Sequence, residues 1–167
     1  KFTLSLPVTL LIATALIVRA GAERYAIPLL NIQEVTMPTP SSWRVEGERT
    51  ALQVGEHIIE VQSLQHLLRR EWCTVSGAVP VVSVRTAGGP IGLAVDELLG
   101  RQEVVIKSLG QLKPLAHSFF GGATIDPEGR VILVIDPTRL VGRDSKESRV
   151  QAVISKSQVQ PQQVVPD

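Results

Sequence analysis

The sequence predicts an all-β fold built from two small barrels with a few short helices. Three observations support this prediction. Hydrophobic residues make up 44% of the chain but aromatic residues only 4%, so the core must be aliphatic, and short aliphatic runs favour strands. From Leu16 onward, Gly or Pro residues separate these runs at short intervals. Finally, one hairpin-rich pattern occurs twice.

The expected strands are the short apolar runs between turn residues. They lie at 16–18, 25–27, 51–54, 57–61, 79–84, 91–95, 104–106 and 131–135. Helices have little room between these strands. The expected short helices lie at 29–35, 63–71, 136–141 and 95–99.

The repeated pattern is seen in two pairs of matching segments. Residues 17–35 read as strand, tight turn, strand and short amphipathic segment, and residues 83–99 read the same way. Residues 52–68 match residues 123–141 in a second pair. Any two β-hairpins share alternation and glycine turns, so coincidence is the competing explanation. Because four elements recur in the same order, we favour two similar subdomains with a groove for a partner between them.

Charge and cysteine content narrow the class of protein. Lys and Arg number 17 and Asp and Glu 16, and the resulting net charge of +1 predicts no nucleic-acid partner. Cys73 is the only cysteine, so no intrachain disulfide or thiolate cluster can form, which fits a cytoplasmic location. We expect Cys73 to be structural. The nearly uncharged stretch from Phe2 to Val18 is interrupted by Ser5 and Pro7 and lacks a basic leader, so we expect no membrane insertion.

Motifs for catalysis or cofactor binding are not found, and we predict no catalytic, cofactor-binding or metal-binding residue. The histidines His57, His66 and His117 have no metal-ligand spacing, and His57 is expected at a strand surface or rim. The glycine pairs match no phosphate-binding motif. Carboxylates at 96–97 and at 126 and 128 adjoin turns and are expected to be solvated turn and cap residues. A hydrolase or ligand-binding barrel remains an alternative that requires a polar pocket.

The segment 100–110 is the best candidate for a docking surface. Its apolar run, Val104 to Ile106, is flanked by Arg101, Gln102, Glu103 and Lys107, as in many exposed strand edges. A plain core strand is the competing interpretation for Val104 and Ile106.

Several segments resemble the CheW-like domain of CheA-type chemotaxis histidine kinases. Residues 95–110, VDELLGRQEVVIKSLG, look like the most recognisable stretch of that family. Residues 122–136 resemble its final hairpin, and Tyr25-Ala26-Ile27-Pro28 its early strand. Leu4 to Leu10, LSLPVTL, resembles the junction between the kinase domain and the regulatory domain of CheA. Trp43 and Trp72 match no family position that we can assign.

The resemblance implies two SH3-like five-stranded barrel subdomains around a shared core. It implies that residues 1–13 end the preceding kinase domain and its connector, and that residues 14–142 form the CheW-like domain with two interleaved subdomains. The tail 143–167, rich in Gln, Ser and Pro, then reads as a linker toward a receiver domain.

The resemblance also implies a role. The segment would be a non-enzymatic scaffold domain within a histidine kinase of the hybrid type. It would bind a CheW-type adaptor, the cytoplasmic tip of chemoreceptors and the kinase domain of its own chain. A free-standing CheW-type adaptor is the alternative. The expected contact residues are Arg101, Gln102, Glu103 and Lys107, with Leu29, Leu30 and Ile32 as apolar contacts. Core packing competes with docking for Leu29 and Ile32.

Overall fold

The computed structural model describes residues 10–47, 49–69, 75–109 and 119–140. These ranges contain eleven strands, one α-helix and three 3-10 turns. The strands are β1 Leu10–Ala20, β2 Glu23–Pro28, β3 Ile32–Thr36, β4 Trp43–Glu46, β5 Arg49–Val54, β6 His57–Ser63, β7 Val81–Thr86, β8 Gly89–Ala94, β9 Glu97–Lys107, β10 Phe120–Ile125 and β11 Val131–Ile135. The helix is α1 Leu64–Arg69, and the 3-10 turns are Leu29–Asn31, Pro40–Ser42 and Pro137–Arg139.

The strands form two subdomains. In the first subdomain, β1, β2, β11, β10 and β9 close a barrel in that order. In the second subdomain, the sheet order is β3, β7, β8, β6, β5 and β4. The all-β architecture with two subdomains is confirmed, but the second subdomain has six strands. The additional strand arises because Trp43–Glu46 folds back on β5, with Trp43 opposite Leu52.

The internal repeat explains the strand order. In the first subdomain, hairpin β1–β2 joins hairpin β10–β11 through parallel pairing of β2 with β11. In the second, hairpin β7–β8 joins hairpin β5–β6 through parallel pairing of β8 with β6. Each subdomain therefore combines one copy of each repeated hairpin.

Side chains of β1 reach two different cores because successive residues of a strand point to opposite faces. Ala15 and Ile17 point into the first barrel. Leu16 and Val18 point the other way, into a core shared with β7 and β8 of the second subdomain. A third cluster fills the second subdomain, around Leu52. The two subdomains thus each have an interior and pack on each other through a common apolar layer.

Helical expectations were correct at one position and wrong at others. The helix expected at 63–71 is present as α1, Leu64–Arg69. Of the helix expected at 136–141, the described residues 136–140 contain the 3-10 turn Pro137–Arg139. In 29–35, the 3-10 turn ends at Asn31 and β3 begins at Ile32, since that segment pairs with β7. The helix expected at 95–99 is wrong because β9, paired with β1, already begins at Glu97.

Trp43, which the sequence could not assign to a family position, has a structural role. Trp43 packs on the core of the second subdomain and donates from Nε1 to the carbonyl oxygen of Gly77 at 3.0 Å. Cys73, Trp72 and His117 lie outside the described residues. Among the helices of the described ranges, none has the length and apolar character needed to cross a membrane.

Candidate docking surface

Strand β9 has one paired edge and one largely open edge. It pairs with β1 from Leu10 opposite Lys107 to Arg19 opposite Glu97. On its other side, the pairing with β10 is confined to Lys107 opposite Ala123. Within the described ranges, no strand pairs with the remainder of this edge, because β10 diverges from it. Unpaired edges of this kind can accept a strand from another protein.

A groove of about 450 Å³ opens where β9 and β10 diverge. Its lining residues come from β9 and from hairpin β10–β11: Glu103, Val104, Val105, Lys107, Ala123, Thr124, Ile125 and Val131. Ile125 and Val131 are 59% and 66% exposed. Thr124 is only 4% exposed, and its hydroxyl has no hydrogen bond within the described residues. The groove is therefore apolar at its rim and has a polar group in its wall.

Apolar side chains continue from this groove onto the outside of the first barrel. Ile12 lies opposite Val105, and Ile125 lies opposite Val131. We call the exposed apolar residues of this surface the outer patch. It consists of Leu10, Ile12, Val105, Ile125 and Val131. Contiguous exposed apolar residues are typical of protein interaction sites.

The structure places the predicted contact residues of β9 along one strand. Glu103 and Lys107 line the groove, while Arg101 and Gln102 lie exposed farther along β9. Within the described chain, these four side chains form no hydrogen bond or ion pair. Their arrangement is compatible with docking, and their contact role remains a prediction.

The predicted apolar contacts lie elsewhere. Leu29 and Ile32 are partly buried against the shared core, so they have packing partners within the fold. Leu30 is 94% exposed in the 3-10 turn that connects the first subdomain to the second. Of the three, Leu30 is therefore the side chain most available to a partner.

Sequence reasoning missed four members of the outer patch. Leu10 and Ile12 lie in a continuous apolar run, and Ile125 and Val131 adjoin a turn. Nothing in the local pattern separates these exposed side chains from core residues. Only the pairing of β1 with β9, and of β10 with β11, brings them to one surface.

The buried carboxylate of Asp126 holds the hairpin that forms one wall of the groove. Its Oδ1 accepts hydrogen bonds from the backbone nitrogens of Glu128 at 3.0 Å and Arg130 at 2.8 Å. Its Oδ2 accepts from Nε of Arg130 at 2.8 Å, and Nη1 of Arg24 lies 3.8 Å away. Burial raises the pKa of Asp126, but the hydrogen bonds and charge of Arg130 outweigh burial and hold this pKa below its ordinary value. The turn-capping role expected for Asp126 is confirmed, but the expected solvation is wrong, since its side chain is buried.

A second charged contact fixes the point where the chain returns to the first subdomain. Oδ2 of Asp96 accepts from the backbone nitrogen of Gly21 at 2.6 Å, and the backbone nitrogen of Asp96 donates to the carbonyl oxygen of Arg19 at 2.9 Å. Arg19 also pairs with Glu97 through its Nε at 3.0 Å. The start of β9 is thus tied to the turn between β1 and β2.

A pocket of about 370 Å³ lies at one end of the second subdomain. It is lined by Gln33, Glu34, Val54, His57, Ile59, Ser83 and Pro90. His57 is exposed on β6, which confirms the rim position expected for it. Within the described ranges, no three or more His, Cys, Asp or Glu side chains come together in a metal-binding group.

Two packed β-subdomains with an apolar groove and an open strand edge define a class of protein-interaction domain. The profile of the CheW-like domain matches residues 14–145. The chain therefore belongs to the CheW-like domain family, and the resemblance found in the sequence is confirmed.

Similar proteins include a chemotaxis protein CheA and a sensor histidine kinase CheAY. The chain is 30% identical over 135 residues to the chemotaxis protein CheA of Listeria innocua, which covers 81% of this chain and 22% of that protein. It is 33% identical over 135 residues to the sensor histidine kinase CheAY of Helicobacter pylori, which covers 80% of this chain and 17% of that protein. The chain thus spans about a fifth of the length of these relatives.

The fold also matches a solved structure. The scaffolding protein TtCheW from Thermoanaerobacter tengcongensis superposes with a TM-score of 0.57 at 14% sequence identity. The match covers 77% of this chain and 91% of TtCheW. At this identity, the comparison establishes a shared fold.

Proposed function

We propose that this chain is the regulatory scaffold domain of a chemotaxis-type sensor histidine kinase. It binds a CheW-type adaptor and the cytoplasmic tip of chemoreceptors, and it couples the receptor state to the kinase domain of the same protein. The segment itself performs no catalysis. The domain is located in the cytoplasm, at membrane-associated receptor arrays. Support comes from the matches to CheA proteins and from the LSLPVTL segment at 4–10, which resembles a kinase junction.

The domain boundaries are part of the proposal. Residues 14–142 form the CheW-like domain, residues 1–13 connect it to the kinase domain, and 143–167 lead toward a receiver domain. Within the described residues, β1 covers Leu10–Ala20, so the proposed boundary at residue 14 falls inside this barrel strand. Sequencing the reading frame on both sides tests this: a kinase domain upstream supports it, and an isolated CheW-like frame favours the alternative of a free-standing adaptor.

The outer patch is the observation that supports adaptor binding most directly. It combines exposed apolar side chains with the charged residues Glu103 and Lys107 at the groove. Interfaces commonly have this arrangement of an apolar centre and a polar rim. We therefore place the adaptor on the outer patch, with Arg101, Gln102, Glu103 and Lys107 at its border.

Titration of the chain with a CheW-type adaptor by isothermal calorimetry tests this site. Replacing Ile125 and Val131 by Ser should raise the Kd about tenfold or more, because central apolar contacts dominate binding energy. Ile58→Ser is the matched control, since Ile58 is 64% exposed on β6 of the second subdomain, outside the outer patch. Adaptor binding that is equally strong in all variants would place the site elsewhere. Failure of the unmodified folded chain to bind any CheW-type adaptor would overturn the adaptor proposal.

Receptor binding is proposed at the connection between the subdomains. Leu30 is the exposed apolar side chain there, and Leu29 and Ile32 support it from the shared core. Leu30→Ser should weaken binding of a receptor-tip fragment and leave adaptor binding unchanged. If Leu30→Ser weakened receptor binding and adaptor binding equally, the result would argue against two separate sites.

A further inference from the structure

Charges on the open edge of β9 are ordered so that they match a reversed copy of the same strand. Arg101 and Glu103 flank Gln102, and all three side chains are exposed. Within the described chain, none of the three takes part in a side-chain hydrogen bond or ion pair. When two β9 strands run antiparallel with Gln102 at the centre, Arg101 of each copy lies opposite Glu103 of the other. Opposite charges in directly facing positions stabilise a strand pair.

Other registers lose this match. Centring the pair on Arg101 or on Glu103 would place like charges opposite each other, which is destabilising. Registers centred farther along β9 require the edge at Lys107, and β10 already occupies that position through Ala123. The Gln102 register is thus the one in which the open edge and the charges agree.

The faces of the strand agree with this register. Arg101, Glu103 and Val105 lie opposite Leu16, Thr14 and Ile12 of β1, so they share the outer face of the barrel. Pairing two β9 edges would therefore continue one outer face across two molecules, in the strand order β1, β9, β9 and β1.

A β-bulge limits the length of the pair. The register between β1 and β9 shifts between Ile17 and Val18, and Gly100 has a φ of 120° at this point. Regular backbone on the open edge is therefore available from Gly100 to Val104, before the pairing with β10 begins. A ladder this short supports weak and reversible association.

We propose that two copies of this chain associate through antiparallel pairing of their β9 edges, centred on Gln102. The second copy is the occupant because the charge order of the edge is complementary to itself. This inference goes beyond the proposed function and does not depend on it. Since Glu103 also borders the groove, an adaptor bound at the outer patch would compete with the second copy.

Sedimentation velocity of the whole chain over a wide range of concentrations tests the proposal. The unmodified chain should show a reversible monomer–dimer equilibrium that weakens at high salt. Arg101→Glu and Glu103→Arg should each raise the dimer Kd roughly tenfold, since each change turns two attractive pairs into two repulsive ones. The double variant Arg101→Glu with Glu103→Arg should restore the dimer.

Arg85→Glu is the control, because Arg85 is an exposed arginine on β7 of the second subdomain. Arg85→Glu makes the same change in net charge as Arg101→Glu and should leave the dimer Kd unchanged. A chain that stays monomeric at every concentration overturns the proposal. So does a dimer that survives both single reversals, or one that the double variant fails to restore while circular dichroism shows the native fold. Adaptor titration of the same variants is read separately, so failure of the dimer leaves the proposed function standing.

Discussion

Nε of Arg130 lies 2.8 Å from Oδ2 of Asp126, and this ion pair closes the turn between β10 and β11. The side chain of Asp126 is 3% exposed, whereas that of Arg130 is about half exposed. One buried carboxylate therefore organises the hairpin that carries Ile125 and Val131. The ionised form of this group accepts the hydrogen bonds that hold the hairpin wall of the groove.

Asp126→Asn should lower the stability of the chain, measured as the urea midpoint at neutral pH. The amide cannot accept the same set of hydrogen bonds as the carboxylate, and it loses the attraction of Arg130. Because the pKa of Asp126 is lowered in the folded state, its contribution is fully present above the ordinary value of 3.8. It is lost as the pH falls through the folded value. The difference between wild type and Asp126→Asn should therefore shrink in acid.

Glu128→Gln is the control for this carboxylate. Glu128 pairs with Arg130 and Arg24, but its side chain is mostly exposed, and exposed ion pairs contribute little. Its urea midpoint should stay close to that of the wild type. A pH-independent difference between wild type and Asp126→Asn would contradict the role assigned to the charge.

Gly122→Ala should destabilise the first barrel by about 1–3 kcal/mol, because added bulk at a tight contact forces the neighbours apart. A Cβ at Gly122 would lie 2.6 Å from both Cγ2 of Ile106 and the carbonyl oxygen of Lys107. Since one of these atoms belongs to the backbone of β9, a rotamer change cannot relieve the contact.

Gly88→Ala is the matched control for this substitution. The nearest atom to a Cβ at Gly88 is Oγ1 of Thr86 at 3.9 Å, an ordinary contact. Its free energy of unfolding should change by less than about 0.5 kcal/mol. Equal effects of the two substitutions in urea denaturation would show that the approach of β9 to β10 is not tight.

Leu64→Ala should cost about 2–5 kcal/mol of unfolding free energy, as expected when a fully buried leucine leaves a cavity. Leu64 begins α1 and is fully buried in the shared core. Leu30→Ala removes the same atoms from an exposed site and should change stability by less than about 0.5 kcal/mol. Thermal and urea unfolding of both variants check this contrast, and a small effect of Leu64→Ala would mean that α1 does not anchor the two subdomains.

Thr50→Val should cost about 1–3 kcal/mol, because it leaves a buried backbone donor without its acceptor. Oγ1 of Thr50 accepts from the backbone nitrogen of Val75 at 3.1 Å, and both residues are buried. Valine keeps the shape of threonine, so packing is conserved while the hydrogen bond is lost. Thr14→Val, at an exposed position of β1, is the control and should have little effect on the urea midpoint.

The all-β class, the repeat and the family could all be predicted from the sequence. These properties depend on local signals: short apolar runs, glycine turns and the recognisable stretch 95–110. Local signals were insufficient at 32–35, where the apolar spacing suited a helix as well as a strand. Pairing with β7 decided in favour of the strand.

The residues of the candidate site also fall into two groups, those that the sequence identified and those that only the structure revealed. Arg101, Gln102, Glu103 and Lys107 were identified from the sequence because charges flank an apolar run within one short segment. Their apolar neighbours in the outer patch were not. Ile12 and Ile125 are far from β9 in sequence, and residues of this type are as common in cores as on interaction surfaces.

By itself, the sequence determined the all-β class, most of the strands and the family to which the chain belongs. Within the described residues, the tertiary structure alone decided which edge of β9 is left unpaired and which apolar side chains remain outside the cores. The physical reason is that exposure depends on strand partners and register: β1 buries Leu16 under the second subdomain, while the same face at Ile12 has no covering layer within the described residues. Apolar side chains of the same type are therefore buried in a core or exposed on a surface, depending on which elements pack against them.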